Sequence, residues 1–66
     1  MGENIVGKNI RKYRLLRGYT KRELAERAKL AHVTIVKYEK GERNASSYSL
    51  YKLSRALDVC MSDLVK

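Results

Sequence analysis

The sequence has no proline, only four glycines, and a single cysteine and a single histidine. Without proline, and without a run that alternates apolar and polar residues, little competes with helix, and an all-α chain is expected. One cysteine excludes an internal disulfide and fits a reducing cytoplasm. His32 and Cys60 alone cannot build a zinc site, so no metal and no other cofactor is expected. The same two residues lie far apart in sequence and give no nucleophile–base pair. The carboxylates Glu23, Glu26, Glu39, Glu42, Asp58 and Asp63 show no paired arrangement, and an enzyme is not expected. No apolar run approaches the ~18 residues of a spanning helix. No stretch sets a bulky apolar face against a Lys/Arg face, so a membrane partner is not expected either. The start, Met1-Gly2-Glu3-Asn4, lacks the charged head and apolar stretch of a signal peptide. Val6 stands where a myristoylation site would carry Ser or Thr.

What is present is helix and positive charge. The 66 residues allow one domain, taken to span 1–66. A chain of this size buries only about 60% of the surface its unfolded form exposes, which leaves room for a small bundle and hardly for a deep pocket. Fifteen Lys and Arg against seven Asp and Glu give a net charge of +8. Such a balance suits an anionic partner, nucleic acid before lipid, or serves only to keep the chain in solution.

Breaks at Gly18, around Lys29 to Ala31, from Gly41 to Ser47 and near Asp58 divide the chain into five helical segments. The first, about Ile5 to Arg17, places Val6, Ile10, Tyr13 and Arg14 on one face with Leu16 beside them, and Gly18 stops it. The second, about 21–28, opens on a capping box of Thr20 and Glu23, with Tyr19 and Leu24 as a hydrophobic staple. Leu24, Ala25 and Ala28 turn inward, the alanines allowing close approach of another helix. Only about three residues follow before the next helix, and so short a connection forces a steep crossing, with Leu30 as the apolar plug. The third helix, about 32–40, turns Ile35, Tyr38 and Glu39 to one side and His32, Val33, Val36, Lys37 and Lys40 to the other. Gly41 closes it. A polar loop leads to a fourth helix with Leu50, Leu53, Ala56 and Leu57 on its core face, and a last turn runs from Met61 to Val65.

The stretch Thr20-Lys21-Arg22-Glu23-Leu24-Ala25-Glu26-Arg27-Ala28, then Thr34-Ile35, Glu39 and Gly41, resembles the Cro and phage-repressor (XRE-type) helix-turn-helix family. So do Leu50, Leu53, Ala56-Leu57, Val59 and Leu64, and the resemblance runs from Val6 to Leu64. Each piece is weakly specific, whereas the ordered set at matching separations is strong. The resemblance implies a five-helix, lambda-repressor-like bundle whose third helix enters the major groove, and an ion pair of Arg14 with Glu39. Two separate surface charges are the plainer alternative for that pair. Four positions depart from the family pattern. Lys29 replaces the usual turn glycine, and a left-handed lysine would cost about 1 kcal/mol. Ala31 replaces the N-cap of helix 3, losing on the order of 1 kcal/mol. Ala45 stands where proline is common, and Cys60 where a Ser-like N-cap often precedes helix 5.

The resemblance further implies a transcriptional regulator, more often a repressor, that binds double-stranded DNA as a homodimer on a near-palindromic operator with half-sites ~34 Å apart. Base reading falls to His32, Val33, Val36 and Lys37: Lys37 to guanine, His32 as donor or acceptor, the valines on thymine methyls. His32 as an incidental surface residue is the alternative there. Phosphate contacts fall to Lys21, Thr34, Lys40, Arg43 and Asn44, with Tyr48 a further candidate; each charged one alone reads more simply as a solvated surface group, and their clustering around one helix is the evidence. Arg11, Lys12, Lys52 and Arg55 read as ordinary surface charge. Met61 and Leu64 are the candidate dimer contacts, or else cap the core of the single chain. Cys60 is expected to be small, apolar and partly buried. The outward valines also keep open a protein-interaction module, an antitoxin or scaffold, on the same fold.

Overall fold

The computed structural model describes residues 4–66; Met1-Gly2-Glu3, with the signal-peptide and myristoylation readings that fall on them, lie outside the described residues. Five helices follow one another: α1 (Ile5–Leu16), α2 (Lys21–Ala28), α3 (His32–Lys40), α4 (Ser47–Leu57) and α5 (Met61–Val65). Among the described residues there is no strand. Helix α1 packs on α3 and α5, α2 lies between α3 and α4, and α5 closes the bundle against α4.

Every helix contributes to one core. Ile10, Leu24, Ile35, Leu53, Leu57 and Leu64 are fully buried, joined by Ala25, Ala28 and Tyr38. Each large apolar side chain removed from water in this way stabilises the fold by roughly 1.5–3 kcal/mol before entropy is counted. Val6, Tyr13, Tyr19, Leu30, Leu50 and Ala56 lie against that core, half-buried.

Four helix ends close in the same way. After α1, α2, α3 and α4 a residue in the left-handed region turns the chain: Gly18 (φ 75°), Lys29 (57°), Gly41 (78°) and Asp58 (58°). Each time the next amide reaches back to the carbonyl five residues earlier. The bonds are Tyr19 N to Arg14 O at 3.0 Å, Leu30 N to Ala25 O at 2.9 Å, Glu42 N to Lys37 O at 2.9 Å and Val59 N to Ser54 O at 3.0 Å. This is the Schellman closure, which satisfies carbonyls that the helix leaves open. Lys29 therefore takes the strained conformation that its place in the turn predicted, and Asp58 shares it.

Two expectations about burial need correction. Leu16 is 69% exposed and does not flank the apolar face. At 3.6 residues per turn it lies about 120° round the helix from Ile10. Cys60 is exposed, not partly buried, because it sits on the outer corner where α4 hands over to α5. Two serines complete the buried face of α4. Ser54 Oγ donates to Tyr51 O at 2.7 Å, and Ser49 Oγ accepts from Oγ of the N-cap Ser46 at 3.2 Å, so both are satisfied locally.

Candidate nucleic-acid interface

The site begins with the cap that starts α2. Thr20 Oγ1 accepts from Glu23 N at 3.1 Å, and Glu23 Oε1 accepts from Thr20 N at 2.8 Å, which is the capping box read from the sequence. Lys21 follows immediately, half-buried at the helix start. Lys29, Leu30 and Ala31 then turn the chain, Leu30 resting on the core. Ala31 caps α3 with extended backbone but no side-chain bond, so the first amides of α3 keep no side-chain partner there.

The two faces of α3 differ sharply. Ile35 and Tyr38 are buried, and Glu39 meets Arg14 in a two-pronged ion pair, Nε to Oε2 at 2.7 Å and Nη2 to Oε1 at 3.1 Å. The third prong of Arg14, Nη1, donates to Tyr19 O at 2.9 Å, so one guanidinium ties α1, α3 and the segment leading into α2 together. On the opposite face His32, Val33, Lys37 and Lys40 are exposed, Val33 by 56%. Thr34 and Val36 are half-buried on its flanks, so Val36 offers less surface than its neighbours. Arg43 and Asn44 are exposed in the loop after α3 and line a cleft of about 260 Å³ with Asn4, Val6, Gly7, Tyr38 and Ala45. Tyr48 stands out in the first turn of α4, with Lys52 Nζ 4.8 Å from its ring centre.

Of the remaining positions, Lys12 lies 5.2 Å from the Tyr13 ring, while Lys52 Nζ donates to Lys29 O at 3.1 Å and Arg55 Nη1 donates to Tyr51 Oη at 3.3 Å. Met61 is 36% exposed, whereas Leu64 is wholly buried in the core and presents no side chain to a partner. Sequence reading passed over two ties that hold this framework. Asn4 bonds both to Gly7 N and to the end of α3. Arg17 donates to Leu57 O at 2.8 Å and Asp58 O at 3.1 Å, capping α4. An Asn just before an apolar-periodic helix is an N-cap signal, but its second partner lies 35 residues away and left no local trace. Among the described residues no cluster of His, Cys, Asp and Glu fits a metal ion, and no helix is long and apolar enough to cross a membrane.

A buried-and-paired inner face, an open outer face and a three-residue turn between α2 and α3 make a helix-turn-helix, and a family model described as helix-turn-helix matches residues 10–64. The chain belongs to the XRE-type helix-turn-helix family of DNA-binding transcription regulators. Solved members of this family superpose closely on it. The N-terminal DNA-binding domain of SinR from Bacillus subtilis is 34% identical, with a TM-score of 0.91 over 97% of this chain and 94% of that one. SinR, the master regulator for biofilm formation, in complex with DNA, matches at 35% identity and TM-score 0.89, covering 92% and 98%. The restriction-modification controller protein C.AhdI from Aeromonas hydrophila matches at 30% identity and TM-score 0.87, covering 89% of each chain. No curated protein sequence matches.

Proposed function

We propose that this helix-turn-helix chain is a cytoplasmic repressor that reads a near-palindromic operator as a homodimer, each copy inserting α3 into the major groove. The observation that carries the reading is the outer face of α3. There His32, Val33 and Lys37 stand free while the inner face is locked by core contacts and the Arg14–Glu39 pair. Lys37 donates to guanine O6 and N7, His32 to a neighbouring edge, and Val33 packs on a thymine methyl with Val36 at its margin. Lys21, Thr34, Lys40, Arg43 and Asn44 surround that face and take phosphates, which set register without reading sequence. SinR, solved with DNA bound, supports the same use of this fold. The dimer contact runs through α5, where Met61 is accessible.

The test is a salt titration of binding to a duplex selected from a random pool. Log affinity should fall linearly with log salt, at a slope near −0.9 per phosphate contact. The double variant Lys21→Ala/Lys37→Ala should lose that binding. The exposed Val33 favours a second reading, a protein-binding face; in that case the double variant keeps its activity and the unmodified chain shows no preference among duplex sequences.

A further inference from the structure

Asn4 performs two capping tasks with one carboxamide. Its Oδ1 accepts from Gly7 N at 3.0 Å, capping the start of α1. Its Nδ2 donates to Glu39 O at 3.0 Å and lies 3.4 Å from Tyr38 O, capping the end of α3. The Schellman closure at Gly41 already serves Lys37 O and Tyr38 O, so Asn4 supplies the partner for Glu39 O, which that closure does not serve. The surroundings are shaped to this side chain. A Cβ on Gly7 would collide with Tyr38 O and the Asn4 carboxamide, and one on Gly41 would come to 2.9 Å of Asn4 Nδ2.

We propose that Asn4 is a positioning residue for DNA reading, fixing the backbone at the exit of α3 relative to α1. The inference rests on the reading of α3 as the base-contacting helix. The Arg14 fork holds Glu39 only by the end of a side chain with several rotatable bonds, whereas Asn4 grips the backbone itself. From that gripped turn the chain leaves as the Arg43–Asn44 loop, which lines the same cleft as Asn4. Base-edge hydrogen bonds tolerate displacements of only about 0.5 Å. Lysine and arginine contacts to phosphate, on long flexible stems, tolerate more. Loosening this grip therefore lowers base discrimination more than it lowers affinity for any duplex.

No other residue type does both tasks at this reach. Serine keeps an N-cap acceptor of equal quality for α1 but gives up the donor to α3. Aspartate keeps the acceptor and sets a carboxylate against two carbonyl oxygens. The experiment compares the full chain with Asn4→Ser and Asn4→Asp. The probes are a duplex selected from a random pool by the unmodified chain, its single-base-pair variants, and an unrelated duplex. Measurements are made well below the thermal midpoint of each variant. Both variants should fold, lose about tenfold in discrimination between selected and altered duplexes, and change less than about twofold on the unrelated one. Unchanged discrimination in a folded variant overturns the proposal, and so does failure of both variants to fold, since that makes Asn4 a determinant of the fold. If the unmodified chain itself discriminates no duplex, the parent reading of α3 has failed, and the inference falls with it.

Discussion

Arg14 and Glu39 are both almost wholly removed from water, their side chains 8% and 4% exposed, and together they join α1 to α3. Such a pair adds little net stability over an apolar contact, but breaking it strands one buried charge. Glu39→Ala should therefore cost about 3–5 kcal/mol in urea unfolding, enough to leave much of so small a chain unfolded. A loss below about 1 kcal/mol would mean that Arg14 finds another partner or water. Lys29 carries the opposite expectation. It holds φ at 57°, where a side chain is strained and glycine is not. Lys29→Gly should raise stability by about 1 kcal/mol, partly offset by the greater freedom of glycine in the unfolded chain. For a domain this small that corresponds to a midpoint roughly 4–8 °C higher, read by calorimetry.

At the scale of the helices, α3 has the weakest start, while its end is held twice, by the closure at Gly41 and by Asn4. Ala31 gives its first turn no side-chain acceptor, although its extended backbone is the one an N-cap requires. Ala31→Ser should add a bond to the Thr34 or Val33 amide and stabilise the fold by about 1 kcal/mol, checked by denaturant titration. A neutral result would show that the bond of Thr34 N to Ala31 O at 3.0 Å, with solvent at Val33 N, already serves this turn. The helices themselves were readable from local signals. Thr20 and Glu23 stand three residues apart, Gly18 and Gly41 follow amphipathic runs, and α3 shows its two faces through spacing alone. Leu16 misled because it is apolar beside an apolar face yet points away from it. The outer face of α3 was equally legible, since exposed valines on a polar helix are unusual; that Val36 is half-covered was not, because its neighbours come from other parts of the bundle. The ties of Asn4 to Glu39 O and Arg17 to Leu57 O span 35 and 40 residues. Such pairs depend on how helices dock, and no window of sequence contains both partners.

For the molecule as a whole, 66 residues with a net charge of +8 have a field suited to DNA but an area that covers only one half-site. Under the proposed operator reading, specificity depends on a second copy. With Leu64 consumed by the core of its own chain, Met61 is the accessible candidate on α5, and Met61→Lys should weaken operator binding by about tenfold. Its effect on a single half-site should be slight, and sedimentation on both duplexes separates the two outcomes. Equal losses on half-site and full site would place the dimer contact elsewhere.

The claim that the outer face of α3 reads bases is tested most directly by selecting bound duplexes from a random pool, with the unmodified chain and with Val33→Ser/Lys37→Ala in parallel. The unmodified chain should enrich two inverted half-sites with centres about 10 base pairs apart. The variant should lose or change that consensus. A consensus identical in both chains, or none in the unmodified one, would contradict it.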